Sequence, residues 1–107
     1  MRQLSASQLK EWLADAGRTK PVLLDVRELW EFETCRIAGS QHIPMRQIPE
    51  HLGDLSQDKH LLIHCHHGGR SMRVTELLRS RGFTAVTNVA GGIDAWSLQI
   101  DQSLRRY

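Results

Sequence analysis

His60-Leu61-Leu62-Ile63-His64-Cys65-His66-His67-Gly68-Gly69-Arg70-Ser71 is the stretch on which the fold turns. Its first part is short and apolar on both faces, as a strand buried inside a parallel sheet should be. Its last residue opens a helix from Ser71 to Arg81, with Val74, Leu77 and Leu78 toward a core and Gly82 as the stop. A strand, a loop and a helix in this order place Cys65 at the carboxyl end of a strand, where open α/β sheets hold their ligands.

Working outward, Val22-Leu23-Leu24-Asp25-Val26 after Pro21 has the same character and is the natural mate of 60–64, and Ala85-Val86-Thr87-Asn88-Val89 supplies a third strand. Ser5 and Gln8 form a capping-box pair ahead of Leu9, Trp12, Leu13 and Ala16, which predicts an amphipathic helix over 6–16. Shorter elements are expected at Glu28–Thr34 (helix), Ser40–Ile43 (strand) and Gln47–Leu55 (helix, after Pro49). A last helix begins near Gly92 or Ile93 and carries Trp96. The alternation predicts an α/β fold, with a mainly parallel central sheet flanked by helices on both faces. The 107 residues suit one domain over 1–107.

Composition narrows the function. Apolar residues make up 40 % and charged residues 24 %, a globular balance, and the net charge of +2 comes without the Lys/Arg runs of a nucleic-acid binder. Acids are missing between Asp58 and Glu76, where Arg70, Arg73 and four histidines fall, so that segment favours a small anion. Polar residues follow Met1-Arg2 and no run approaches a membrane span, which predicts a cytoplasmic chain with no membrane partner. Two cysteines, Cys35 and Cys65, make neither a disulfide framework nor paired CxxC zinc ligands.

Cys65 is the candidate nucleophile. Gly68 and Gly69 permit backbone angles barred to other residues, so the loop from His66 to Ser71 can curl into an anion-binding nest, to which the following helix adds its partial positive charge. Such surroundings lower a thiol pKa and shelter a persulfide anion equally well. Arg70 offers a planar donor fork for an oxyanion such as thiosulfate or sulfite, and His66 and His67 are expected to present N–H groups and line the pocket. His64, Cys65, His66 and His67 are all metal-ligand types, but consecutive residues rarely converge on one ion, so no metal is expected.

At this loop the sequence resembles the rhodanese family, whose pattern of Cys, two variable residues, Gly, one variable residue, Arg and commonly Ser is filled by Cys65, Gly68, Arg70 and Ser71. Leu24-Asp25-Val26-Arg27-Glu28 through Ala38-Gly39 to His42-Ile43-Pro44, and Gly91-Gly92-Ile93-Asp94-Ala95-Trp96, are similar to its flanking signatures. The resemblance implies a thiosulfate:cyanide-type sulfurtransferase with Cys65 as persulfide carrier and His66 to Ser71 as its cradle. It implies no metal and no organic cofactor. The implied donor is a small sulfur-containing anion and the acceptor cyanide, a thiol or a sulfur-acceptor protein. Phosphatases similar to this family have one residue more between Cys and Arg than the four that separate Cys65 from Arg70.

Two other readings compete: a non-catalytic module of the same type that only docks a protein, and a Cys35-Cys65 redox switch. Asp25, Arg27 and Glu28 read as structural, since a charge at a buried strand end survives by pairing. Trp12, Trp30 and Trp96 read as core or pocket rim. Arg36, where the family commonly has the histidine of a Gly-His-Ile run, offers positive charge near the pocket.

Overall fold

The computed structural model describes residues 3–107; positions 1 and 2, the start of the expected domain, lie outside the described residues. Five strands, β1 (Gln3–Leu4), β2 (Val22–Asp25), β3 (Gln41–His42), β4 (Leu61–His64) and β5 (Val86–Val89), pair in the order β1-β5-β4-β2-β3, with every pair parallel. Three of the four α-helices among the described residues connect strands, α1 (Ala6–Ala14), α2 (Leu29–Thr34) and α3 (Gly69–Ser80), and α4 (Gly92–Gln99) follows the last strand.

The strands are short and apolar on both faces because the sheet is covered on both. Leu23 and Leu62 point to the side where Leu9, Trp12, Ile93 and Trp96 of α1 and α4 pack. Their neighbours Leu24, Leu61 and Ile63 point to the other, against Val74 and Leu78 of α3 and Ile48. One residue of shift would exchange the two sets, which is how side-chain alternation locks the register.

The structure corrects several boundaries. The Ser5 capping box forms, with Gln8 N–H to Ser5 Oγ at 3.1 Å and Ser5 N–H to Gln8 Oε1 at 2.8 Å. The helix stops at Ala14, however, because Asp15 is extended and its carboxylate takes the Gly17 N–H at 2.9 Å; Ala16 is exposed. The segment expected as an α-helix from Gln47 is a 3-10 helix over Met45–Asp54 with Pro49 inside it. Proline has no N–H to give, and three-residue turns such as Gln47 N–H to Pro44 O tolerate it better than an α-helical ladder does. β1 was not expected: two residues carry no periodicity. No helix among the described residues is long and apolar enough to cross a membrane.

Candidate active site

Three central strands end together. Asp25 is paired with His64, and Ile63 with Asn88, so Asp25, Cys65 and Asn88 all stand at the carboxyl edge of the sheet. The chain leaves β4 at Cys65 and enters α3 at Gly69, two residues before the expected start. Gly68, at φ +111°, makes that turn, and a Cβ there would lie 3.3 Å from the Gly91 nitrogen. Gly69 is different: its φ is not positive and a Cβ would meet nothing within 4 Å. The loop therefore needs only the first of its two glycines to be glycine.

The donors that meet the sulfur come from the first turn of α3. Cys65 Sγ accepts from Gly68 N–H at 3.1 Å and from Ser71 N–H and the Ser71 hydroxyl at 3.4 Å each. Burial pushes the thiol pKa up, but these hydrogen bonds outweigh it, the Ser71 hydroxyl foremost, and leave it below the ordinary thiol value. Ser71 does more than start the helix. Its one proton has three acceptors in reach, Cys65 Sγ, Gly68 O and Asn88 Oδ1, and an ionised sulfur is the strongest of them. Ser71→Ala should therefore shift the Cys65 titration upward and slow its alkylation at pH 7 by about tenfold or more, the worth of one hydrogen bond to a charged group. Iodoacetamide rates against pH would show it; an unchanged midpoint refutes the role.

The loop's rear wall is α4. Ile93 N–H bonds to Cys65 O at 2.8 Å and Asp94 N–H to His66 O at 3.0 Å. Gly92, at φ +57°, lets these backbones touch, since a Cβ there would fall 2.4 Å from Cys65 O and 2.5 Å from His66 O. The Gly91-Gly92 segment thus supports the Cys65 loop from behind.

Arg70 does not present its fork to the pocket as expected. Nη1 and Nη2 donate to Glu31 Oε1 and Oε2 at 2.6 and 2.8 Å. Glu31 is buried at the start of α2; burial raises its pKa, but Arg70, the Glu28 N–H and Tyr107 together bring it down to about 2. Arg70 is held above its own ordinary value mainly by Glu31. Arg70 thus braces the loop against α2.

The histidines divide. His67 is exposed and turns to Asp94, with Nε2 3.6 Å from Oδ2. His66 stacks between His67 and Tyr107, at centroid distances of 3.9 and 4.0 Å, and its pKa is lowered by burial and by the neighbouring His67. Neither sends an N–H to the sulfur. His64 is fully buried, with Nε2 3.2 Å from Ser40 Oγ, and burial pushes its pKa down to about 4. Ligating atoms of His66, His67 and Asp94 lie within 4.8 Å of one another, the one such group among the described residues. Arg106 already takes Asp94 Oδ1 at 3.2 Å.

Around this frame, Asp25 and Arg27 form a fully buried pair, with Nε to Oδ1 at 2.9 Å and Nη2 to Oδ2 at 2.7 Å. Glu28 lies 3.6 Å from Arg46 at the surface. Arg36 sits over the Phe32 ring at 4.8 Å. Trp12 and Trp96 are core, while Trp30 is 59 % exposed, a rim residue set edge-on to Tyr107. Cys35 packs with the α1/α4 side and Cys65 with the α3 side. Glu31, Asn88 and Tyr107 were not foreseen, because no local spacing links them to Cys65.

Comparison with known proteins agrees with this geometry. The Rhodanese-like domain family model matches residues 5–99. The putative sulfurtransferase YtwF of Bacillus subtilis is 39 % identical over 96 residues, covering 90 % of each chain. The putative sulfur carrier protein YrkF of the same organism is 35 % identical over 70 % of this chain and 40 % of its own length. A rhodanese-like/PpiC domain-containing protein of Arabidopsis thaliana is 40 % identical over 79 % of this chain, which spans only 30 % of that relative. Among solved structures, SSP1007 from Staphylococcus saprophyticus superposes with a TM-score of 0.84 at 31 % identity, covering 99 % of this chain and all of its own. A cysteine cradled by the first turn of a helix at the sheet's carboxyl edge, and a family match across nearly the whole chain, lead to one conclusion: this protein belongs to the rhodanese-like domain family.

Proposed function

We propose that the chain is a sulfurtransferase that carries a sulfane sulfur on Cys65, taken from thiosulfate or a small persulfide and passed to cyanide, a thiol or a sulfur-acceptor protein. The observation that carries this reading is the convergence of the Gly68 and Ser71 N–H groups and the Ser71 hydroxyl on one buried sulfur. In the first step the Cys65 thiolate attacks the sulfane sulfur of thiosulfate, the new S–S bond forms, and sulfite leaves with the electron pair of the old one. In the second, the acceptor anion attacks the outer sulfur of Cys65-S-S⁻ and the thiolate is regenerated. Charge is conserved in both steps.

The cradle suits this cycle because the same donors serve the thiolate as leaving group and the persulfide anion as intermediate. A cytoplasmic setting fits a thiol kept reduced between turnovers. Incubation with thiosulfate should add about 32 Da to the chain, localised to the Cys65 peptide, and dithiothreitol should remove it by thiolate attack on the S–S bond. Intact-mass spectra decide the matter: no added mass at any donor concentration, or addition that survives loss of Cys65, defeats the proposal.

A further inference from the structure

Beyond α4, residues 101–107 form neither helix nor strand and return across the site. They are held mostly by side chains. Leu104 packs on the α1/α4 core, and Arg106 Nε and Nη2 each reach Asp94 Oδ1 at 3.2 Å. Tyr107 then touches both rims of the Cys65 loop. On one side its ring stacks on His66, the residue next to the nucleophile, at 4.0 Å and 18°. On the other its hydroxyl donates to Glu31 Oε2 and accepts from Arg27 Nη1, both at 2.8 Å, while its ring meets Trp30 edge-on at 5.4 Å. One side chain thus spans from the loop to α2. Between those rims Cys65 is only 1 % exposed, although an acceptor must reach the outermost sulfur it carries.

We propose that residues 101–107 form a strap, latched by Tyr107, that screens Cys65 from bulky acceptors while admitting small ones, and that opens when the latch lets go. The latch is built to release. Without the tyrosine hydroxyl, Arg27 keeps both Asp25 oxygens and the Glu31 and Cys35 carbonyls, and Glu31 keeps both Arg70 nitrogens. No buried charge is left unpaired, which is the cost that would otherwise hold such a contact shut. With no backbone ladder of its own, the segment belongs to the class of elements that open locally before the core does. Acceptor size, beside acceptor nucleophilicity, becomes a determinant of turnover. The strap rests on the sulfurtransferase reading for its purpose, but its test does not use sulfur transfer.

Cys65 of the full chain is alkylated in parallel by iodoacetamide and by a polyethylene-glycol maleimide, with peptide mapping to separate Cys35. Tyr107→Ala should raise the Cys65 rate with the bulky reagent by about tenfold and with iodoacetamide by less than about twofold, since only the open population admits the larger probe. Tyr107→Phe, which keeps the stack and loses both hydroxyl bonds, should fall between. Equal changes for the two reagents, or no change in either variant, overturn the strap. If circular dichroism shows Tyr107→Ala unfolded, Tyr107→Phe decides alone, and a bulky-reagent rate equal to the parent's overturns it. A parent chain that takes no sulfur from thiosulfate would defeat the enzymatic reading and leave the alkylation result standing by itself.

Discussion

Cys65→Ser is expected to lower kcat/KM for sulfur transfer by about a thousandfold or more while leaving the fold in place. The loss follows from chemistry rather than packing. A serine hydroxyl stays protonated at neutral pH even inside a nest, and oxygen cannot take the place of sulfur as both nucleophile and leaving group in a sulfur–sulfur exchange. The fold should survive because the serine oxygen accepts the same Gly68 and Ser71 donors, and because the site needs no partner for a bond that is not made. Thiosulfate-dependent transfer to cyanide, measured beside a thermal melt, checks both halves. Activity above about a tenth of the parent's would show that the sulfur is carried elsewhere.

Asp25→Ala is expected to cost about 3–5 kcal/mol, enough to lower the melting temperature by some 15 °C or more in a chain of this size. Arg27 is fully buried, and Asp25 accepts its Nε and Nη2 and its backbone N–H, the last at 3.0 Å. Burial would lower the Arg27 pKa, but the Asp25 and Tyr107 bonds more than offset it and keep the guanidinium charged. Removing the carboxylate leaves that charge inside the protein bonded to two carbonyls, a thiol and a phenol, with no carboxylate bonded to it. Replacing both members by apolar residues should restore much of the stability, since a buried pair costs desolvation that hydrophobic packing does not. Urea titration of the single and double variants measures the difference; a single variant within about 1 kcal/mol of the parent would mean that Glu31 and Tyr107 already balance Arg27.

The second prediction also explains why Asp25 and Arg27 were legible as structural while Glu31 was not legible at all. Asp25 and Arg27 are two positions apart at the end of an apolar strand, where a charge has little choice but to pair. Glu31 looks like any acid in the first turn of a short helix, and its partner Arg70 is 39 positions away. A similar distance hid Asn88, which sits in a run read simply as a strand, 17 positions beyond Ser71. Charge and spacing put Arg70 at the loop but do not give the direction of its guanidinium, which the structure turns to Glu31.

Local pattern determined the alternation of strands and helices, the position of Cys65 at a strand end, the turn at Gly68 and the capping box at Ser5, because each depends on residues within a few positions of one another. Resemblance added the expectation of sulfur transfer and drew attention to the Gly91-Gly92 segment. Tertiary structure alone decided that Arg70 pairs with Glu31, that Ser71 reaches Asn88, and that Tyr107 bridges His66 to Glu31. The physical reason is common to all three: they are contacts between elements joined only by the parallel sheet, whose crossovers bring together residues that no window along the chain contains.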